Sequence, residues 1–169
     1  PEPLLAMSQK GFETVVRTNL VGGFLFAREC VSQSMNEHGG GIVNIIADMW
    51  RGMPGMGHSG AARAGMHNLT QTMAIEWAAA GVRVNSVAPG WIASSGFDHY
   101  DAALRSVLLS LQDSVPARRL GTEAEVSATI TFLLSPAAAF ITGEGVRVDG
   151  GAPLWSALYP VPPHDKCVP

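Results

Sequence analysis

Ser59 and Arg63 stand one helical turn apart in the stretch HSGAARAGMHNLTQTMA, residues 58–74. Arg63 is a cation among small residues at the start of a helix-patterned segment, close to the positive end of the helix dipole. Its guanidinium can donate to two hydroxyls at once or hold loop carbonyls. It never deprotonates at ordinary pH, so it cannot move a proton. Ser59 can hydrogen-bond an oxygen or cap the helix, and its position favours the cap. Its hydroxyl is a poor acid, so proton work falls to other groups. Asp48 follows the apolar run IVNIIA, where a carboxylate leaves the end of a strand. A catalytic acid is useful there, although the ordinary fate of such a residue is a solvated loop. His58 and His67 are further proton donors by type, with His67 about two helical turns beyond Ser59 on the same face. A lone helix histidine is more commonly packed or solvated. Asn19 sits inside a helical pattern, a place that slightly disfavours asparagine unless its side chain bonds neighbouring backbone.

Composition narrows the setting. The chain has 169 residues, enough for one domain with a core. It is 47% hydrophobic and 15% charged, which excludes a disordered chain. A net charge of −3 without a Lys/Arg cluster argues against nucleic acid as a partner. No apolar run approaches the roughly 20 residues that span a bilayer, so no membrane is expected. The opening residues PEPLLAMSQK do not read as a secretory signal. Cys30 and Cys167 form no metal or redox spacing and read as two reduced thiols. The end, Lys166 to Pro169, is not a peroxisomal address. The expected compartment is the cytoplasm.

The elements that position these groups follow from periodicity. Phe12, Val16, Leu20, Gly23, Ala27 and Val31 predict a helix over 8–35, with Ser8 as its cap. GIVNIIA, 41–47, reads as a buried strand, and RGMPGMG as a loop. Ala62, Met66, Leu69, Met73 and Trp77 predict a helix over 59–80 that Gly81 ends. VRVNSVAP, 82–89, is a second buried strand, and 90–118 a long loop with short helices. Thr122 and Glu125 form a capping box for a helix running to about Leu134. EGVRVDGG, 144–151, is a third strand, and the proline-rich tail 152–169 drapes over a surface. Helices alternating with strands predict an α/β fold with a parallel sheet covered by helices. Ligands bind such sheets beyond the carboxyl ends of the strands. That points to 47–52, 89–95 and 149–152.

Five segments in order carry a resemblance: ETVVRTNLVGGFLF, GGGIVNIIA, AARAGMHNLTQTMAIEWA, GVRVNSVAPGWI and FLLSPAAAFITGEGVRVDGG. Together they resemble the C-terminal portion of a short-chain dehydrogenase/reductase. HSGAARAG and AIEWA are most similar to the peroxisomal trans-2-enoyl-CoA reductases and their bacterial relatives. The resemblance implies a partial Rossmann-like doubly wound parallel sheet with flanking helices, forming the C-terminal part of a single domain. It implies an NAD(P) cofactor that exchanges a hydride with a carbonyl, an alcohol or an activated double bond. The family asparagine falls on Asn19, which implies roles in cofactor binding and proton relay. The turn facing the nicotinamide falls on Pro89 and Gly90, with Ile92 meeting the carboxamide. The family's Tyr-x-x-x-Lys falls on Ser59 and Arg63, so the phenol is absent and Arg63 takes the ribose-binding place. The substrate-binding serine falls near Ile46 or Ala47, neither of which can make that contact. The 2,4-dienoyl-CoA reductase branch also has serine at the tyrosine position and takes its proton donor from the preceding loop, where Asp48 stands here.

These departures fit the reduction of an activated C=C bond better than alcohol oxidation. Hydride goes to one carbon, a proton to its neighbour, and the thioester oxygen needs only hydrogen-bond donors. The expected substrate is a small molecule or acyl thioester. The alternatives are an alcohol or carbonyl dehydrogenase, or a non-catalytic chain acting through a partner subunit. No glycine-rich turn after a first strand precedes Asn19. The expectation is therefore a chain without the N-terminal cofactor half, showing an open sheet edge and inactive alone. The full-length protein is expected to be a homo-oligomer.

Overall fold

The computed structural model describes residues 2–96 and 101–169. Tyr100 and the adjoining part of the long loop lie outside them. Two hydrophobic faces determine the layering. Strand β2, Val82–Pro89, alternates its side chains between them and is buried over nearly its whole length. Val82, Val84 and Ala88 pack with Met66, Met73, Ala74, Ala27 and Val31. Val87 points the other way, toward Leu133 and Ala138. Helices must therefore cover both faces, and they do.

Strand β1, Gly40–Ile45, and strand β5, Gly145–Val148, flank β2 in parallel, giving the order β1-β2-β5. The register places Gly40 opposite Val82 and Ser86 opposite Gly145. One face carries helices α1, Gln9–Val16; α2, Gly22–Cys30; and α4, Gly57–Glu76. The opposite face carries α6, Glu123–Leu134. Short α3, Asn36–His38, ends the first helical run. A small parallel pair, β3 at Ile92–Ala93 and β4 at Gly121–Thr122, sits beside the main sheet with α5, Ala102–Ser110, between them in sequence. The expected parallel α/β architecture is what forms, and among the described residues β1 pairs only with β2. Ile45 on this edge is 44% exposed.

The first helix is longer and less regular than its apolar period predicts. It runs on to His38 and contains two π-helical stretches, Arg17–Val21 and Val31–Met35. Ser8 caps it, its side chain accepting from Gly11 N–H at 3.1 Å. Asn19 lies in the first π stretch, and its Nδ2 donates to the Val15 carbonyl at 3.1 Å.

Polar side chains clip the layers together. Asn85 is buried, and its amide donates to Ile141 O at 2.9 Å and accepts from Glu144 N–H at 3.0 Å. That aligns the segment leading into β5. Arg83 donates to Leu133 O and Ser135 O, satisfying carbonyls at the end of α6. Asn44 of β1 donates to Thr70 Oγ1 of α4 at 2.9 Å.

The tail lies on the surface and is pinned there, as its composition suggested. Arg51 donates to Pro153 O and Trp155 O, Arg118 to Val161 O, and Arg119 to Cys167 O. His164 meets Pro116 O at 3.0 Å.

The capping box of α6 is complete. Thr122 Oγ1 accepts from Glu125 N–H, and Glu125 Oε2 accepts from Thr122 N–H at 2.8 Å. Arg119 adds a two-pronged pair to the same carboxylate, at 2.9 and 2.6 Å. The Arg119 guanidinium, with the Thr122 N–H, lowers the pKa of Glu125 from 4.5 to about 2. Glu125 therefore holds its proton more weakly folded than unfolded. Its contribution is complete above 4.5 and is lost as pH falls through about 2. Glu125→Gln should cost about 1 kcal/mol at neutral pH in urea denaturation. The two denaturation curves should converge toward pH 2; a constant gap would assign the loss to shape rather than charge.

Candidate active site

The carboxyl ends of the three parallel strands converge, because β2 carries a neighbour on each side in fixed register. Beyond β1 come Ala47 and Asp48; beyond β2, Gly90 and Trp91; beyond β5, Asp149 and two glycines. Ala47, Asp48, Met53, Met56, Pro89, Gly90 and Trp91 help to line an open cleft of about 240 Å³. Trp91 also walls a smaller recess of about 80 Å³ with Ile92, Arg119, Glu125 and Asp149. The structure thus brings Asp48, Pro89 and Gly90 together in one cleft and sets Ile92 next door.

The strand ends are close enough to require glycine at position 90. A Cβ there would lie 2.7 Å from both Cα and Cβ of Asp149. Gly90 N–H also donates to Val148 O at 2.9 Å, fastening the turn to β5. Asp149 Oδ1 accepts from Gly151 N–H at 2.8 Å, closing its own turn.

Asp48 is half-buried, and its Oδ1 is enclosed without a hydrogen-bond partner among the described residues. Burial, then the negative charge of Asp149, raises the Asp48 pKa above its ordinary value of 3.8. Arg147, the Trp50 N–H and Arg51 oppose that rise. Arg147 is itself held 4.3 Å over the Trp50 ring, which meets His67 edge-on at 5.9 Å. His67 Nδ1 lies 3.2 Å from Ser86 Oγ. His67 is therefore packed into a structural stack, the common fate of a helix histidine.

Arg63 does hold a carbonyl. Its Nη1 donates to Ile45 O at 2.6 Å, at the end of β1. Its Nε is buried without a partner among the described residues, and burial lowers its pKa without neutralising it. Ser59 is not the helix cap. Helix α4 starts two residues earlier, at Gly57, with Met56 before it, so Ser59 is already inside the first turn. The His58 ring supplies the local acceptor instead, taking Ser59 N–H at 2.8 Å. Neither Ser59 nor Arg63 lines the Asp48 cleft. Asn19 faces a different groove of about 380 Å³ along β1, which Asn44, Ile45 and Met66 also line. Ile45 joins the two sets: it borders the Asn19 groove and its carbonyl takes the Arg63 bond.

The sequence reading passed over Asp149 and Trp91 as individuals. The signal for Asp149 was its place between a strand end and a glycine pair, in a sheet where strand ends converge.

The sequence model described as Enoyl-(Acyl carrier protein) reductase matches residues 1–153. The chain belongs to the short-chain dehydrogenase/reductase family. It is 35% identical over 162 residues to a peroxisomal 2,4-dienoyl-CoA reductase of Danio rerio, covering 92% of this chain and 52% of that protein. It is 38% identical over 151 residues to a 3-oxoacyl-(acyl-carrier-protein) reductase of Synechocystis, covering 88% and 58%. A solved citronellol catabolism dehydrogenase (AtuB) of Pseudomonas aeruginosa superposes with a TM-score of 0.78 at 60% identity, covering 90% of this chain and 58% of that one. A 4-hydroxyisoleucine dehydrogenase mutant, complexed with NADH and succinate, gives 0.79 at 29% identity, covering 89% and 63%. The chain thus spans a little over half the length of the curated relatives it matches. No described helix is long and apolar enough to cross a membrane.

Gly90→Ala should destabilise the chain by about 1–3 kcal/mol, because the Asp149 backbone has to move to admit the methyl. Thermal denaturation checks this. An unchanged midpoint would mean that the two strand ends are free to separate.

Proposed function

We propose that the full-length protein is an NAD(P)-dependent oxidoreductase that reduces an activated C=C bond in a small enoyl-thioester-like substrate. The observation that carries this reading is a half-buried Asp48 in the strand-end cleft, while Ser59, where the family places its tyrosine, stands outside the cleft lining. The cleft then offers a carboxylic acid, and no phenol stands in the described part of the site.

The residues present fit the nicotinamide-ribose end of such a cofactor. Arg63 keeps one buried, unpartnered N–H after bonding Ile45 O, which suits a ribose hydroxyl. Pro89 and Gly90, the turn that the family sets against the nicotinamide, border the cleft beside Asp48, and Ile92 follows them. Asn19 borders the Ile45 side of the same strand end. When bound, the cofactor supplies a hydride to one alkene carbon. Asp48 then gives its proton to the neighbouring carbon and becomes a carboxylate, while the thioester carbonyl is restored from its enolate. The raised proton affinity of Asp48 keeps more of it in the acid form than an exposed aspartate would have. Arg63 fixes the geometry and moves no proton.

A second reading has its own support: the 60% identity to a solved chain titled a citronellol catabolism dehydrogenase. In that reading the substrate is an alcohol or carbonyl, and Asp48 acts as the base or acid on its oxygen. Residues 1–169 form the C-terminal part of one domain in either case, and the protein assembles as a homo-oligomer. The free thiols Cys30 and Cys167 suit the cytoplasm.

Steady-state assays of the full-length protein, followed by nicotinamide absorbance, separate the readings. Asp48→Asn should lower kcat for a 2-enoyl thioester by about 10²–10⁴-fold. Arg63→Ala should act mainly on the cofactor KM. Faster turnover of alcohols than of enoyl thioesters would overturn the C=C reading, and full activity in Asp48→Asn would remove Asp48 as the acid in either reading.

A further inference from the structure

Asp149 is a carboxylate for which neither the family's mechanism nor the site residues above give a use. Its placement is restrictive. It sits one residue past β5, against the glycine at position 90, where even a methyl group would collide with it. One of its oxygens is committed to Gly151 N–H. The other, Oδ2, is enclosed and has no hydrogen-bond partner among the described residues. The same is true of Asp48 Oδ1 across the strand ends. Trp91 forms part of the wall of both cavities, the one that Asp48 borders and the one that Asp149 borders. Each residue thus has one enclosed carboxyl oxygen without a donor, and the two residues border separate cavities that share Trp91 in their walls, with Asp149 packed against Gly90 of the Asp48 cleft.

Enclosed carboxylate oxygens without donors are costly when charged. A like charge close by raises that cost, and the relief is for one of the two to keep its proton. The charges around Asp48 indicate which one. Arg147 from β5 and Arg51 from its own loop favour its ionised form, as does the Trp50 N–H, while Asp149 opposes it. Arg147 is drawn aside by its stack on Trp50, and Arg51 is occupied with the tail carbonyls at Pro153 and Trp155. Asp149 is tied into its turn by the Gly151 bond.

We propose that Asp149 is a positioning residue for Asp48: its carboxylate biases the proton onto Asp48, so that the cleft faces an acid. The proton's use in catalysis rests on the reading of Asp48 as proton donor given above, whereas the coupling itself does not. In the reduction, Asp48–COOH gives its proton to the substrate carbon and leaves Asp48–COO⁻ beside Asp149. The renewed repulsion drives Asp48 to take a proton back from water before the next turnover.

The test is a carboxyl NMR titration of the 169-residue chain, selectively labelled with ¹³C-aspartate, with Asp48 assigned from Asp48→Asn. Asp149→Asn and Asp149→Ser both retain an oxygen to accept Gly151 N–H, and Asp149→Glu retains the charge. The Asp48 midpoint should shift downward in the Asn and Ser variants and stay near the wild-type value in the Glu variant. An unmoved midpoint in a neutral variant with a native amide spectrum would overturn the proposal. An equal shift in all three would also overturn it, because the effect would then be shape. Loss of the native spectrum in both neutral variants would show Asp149 to be a turn-holding group, which again overturns it. The titration needs no cofactor or substrate, so it is decided separately from the activity assays.

Discussion

Strand β2 is held on four sides, by β1 and β5 through the parallel ladder and by helices through both of its faces. Its register with β5 brings Pro89 opposite Val148, so the two chains leave the sheet side by side. There is then room for only one side chain between them. Glycine at 90 concedes that room to Asp149. The rest of the site depends on this close passage. It fixes Pro89, Gly90 and Trp91 as the wall of the cleft beside Asp48.

The polar groups at the site are partly unsatisfied, and that is where the chemistry is concentrated. Several buried and half-buried polar side chains elsewhere are paired: Asn85 clips the β5 segment, Arg83 closes α6, and Asn44 reaches Thr70. The enclosed side-chain atoms left without partners among the described residues are on Asp48, Asp149, Arg63 and Arg118. Three of these four residues stand at or directly behind the strand ends. A native core rarely leaves such groups unpaired without a functional reason. The proposed chemistry draws on these three groups: a proton held at Asp48, a charge at Asp149 and a fixed cation at Arg63.

Much of this was legible from residue patterns. The alternation of helices and strands, the Thr122–Glu125 box and the strand ends at Asp48 and Gly90 all follow from spacing and local chemistry. Other features depend on long-range contact. The opening of α4 at Gly57 is invisible to a capping rule, since Ser59 looks like a cap and is overridden by the loop that delivers Met56. The π stretches in the first helix leave the apolar period nearly intact and so leave no trace in it. His67 looks like a proton donor on a helical wheel, but Trp50 and Ser86 enclose it. Asp149 could not be paired with Asp48 from sequence, because about a hundred residues separate them and only the β1-β2-β5 order brings them near.

Delivery of a proton from Asp48 to carbon leaves a stereochemical trace. Turnover of a 2-enoyl thioester in D₂O by the full-length protein reads it, with the configuration of the new C–D bond determined by NMR. The wild-type protein should give one configuration, since the proton comes from one fixed side chain. In Asp48→Asn, the little product that forms should carry deuterium on both faces, delivered by solvent. Retention of a single configuration at an undiminished rate in Asp48→Asn would contradict the account and place the acid elsewhere.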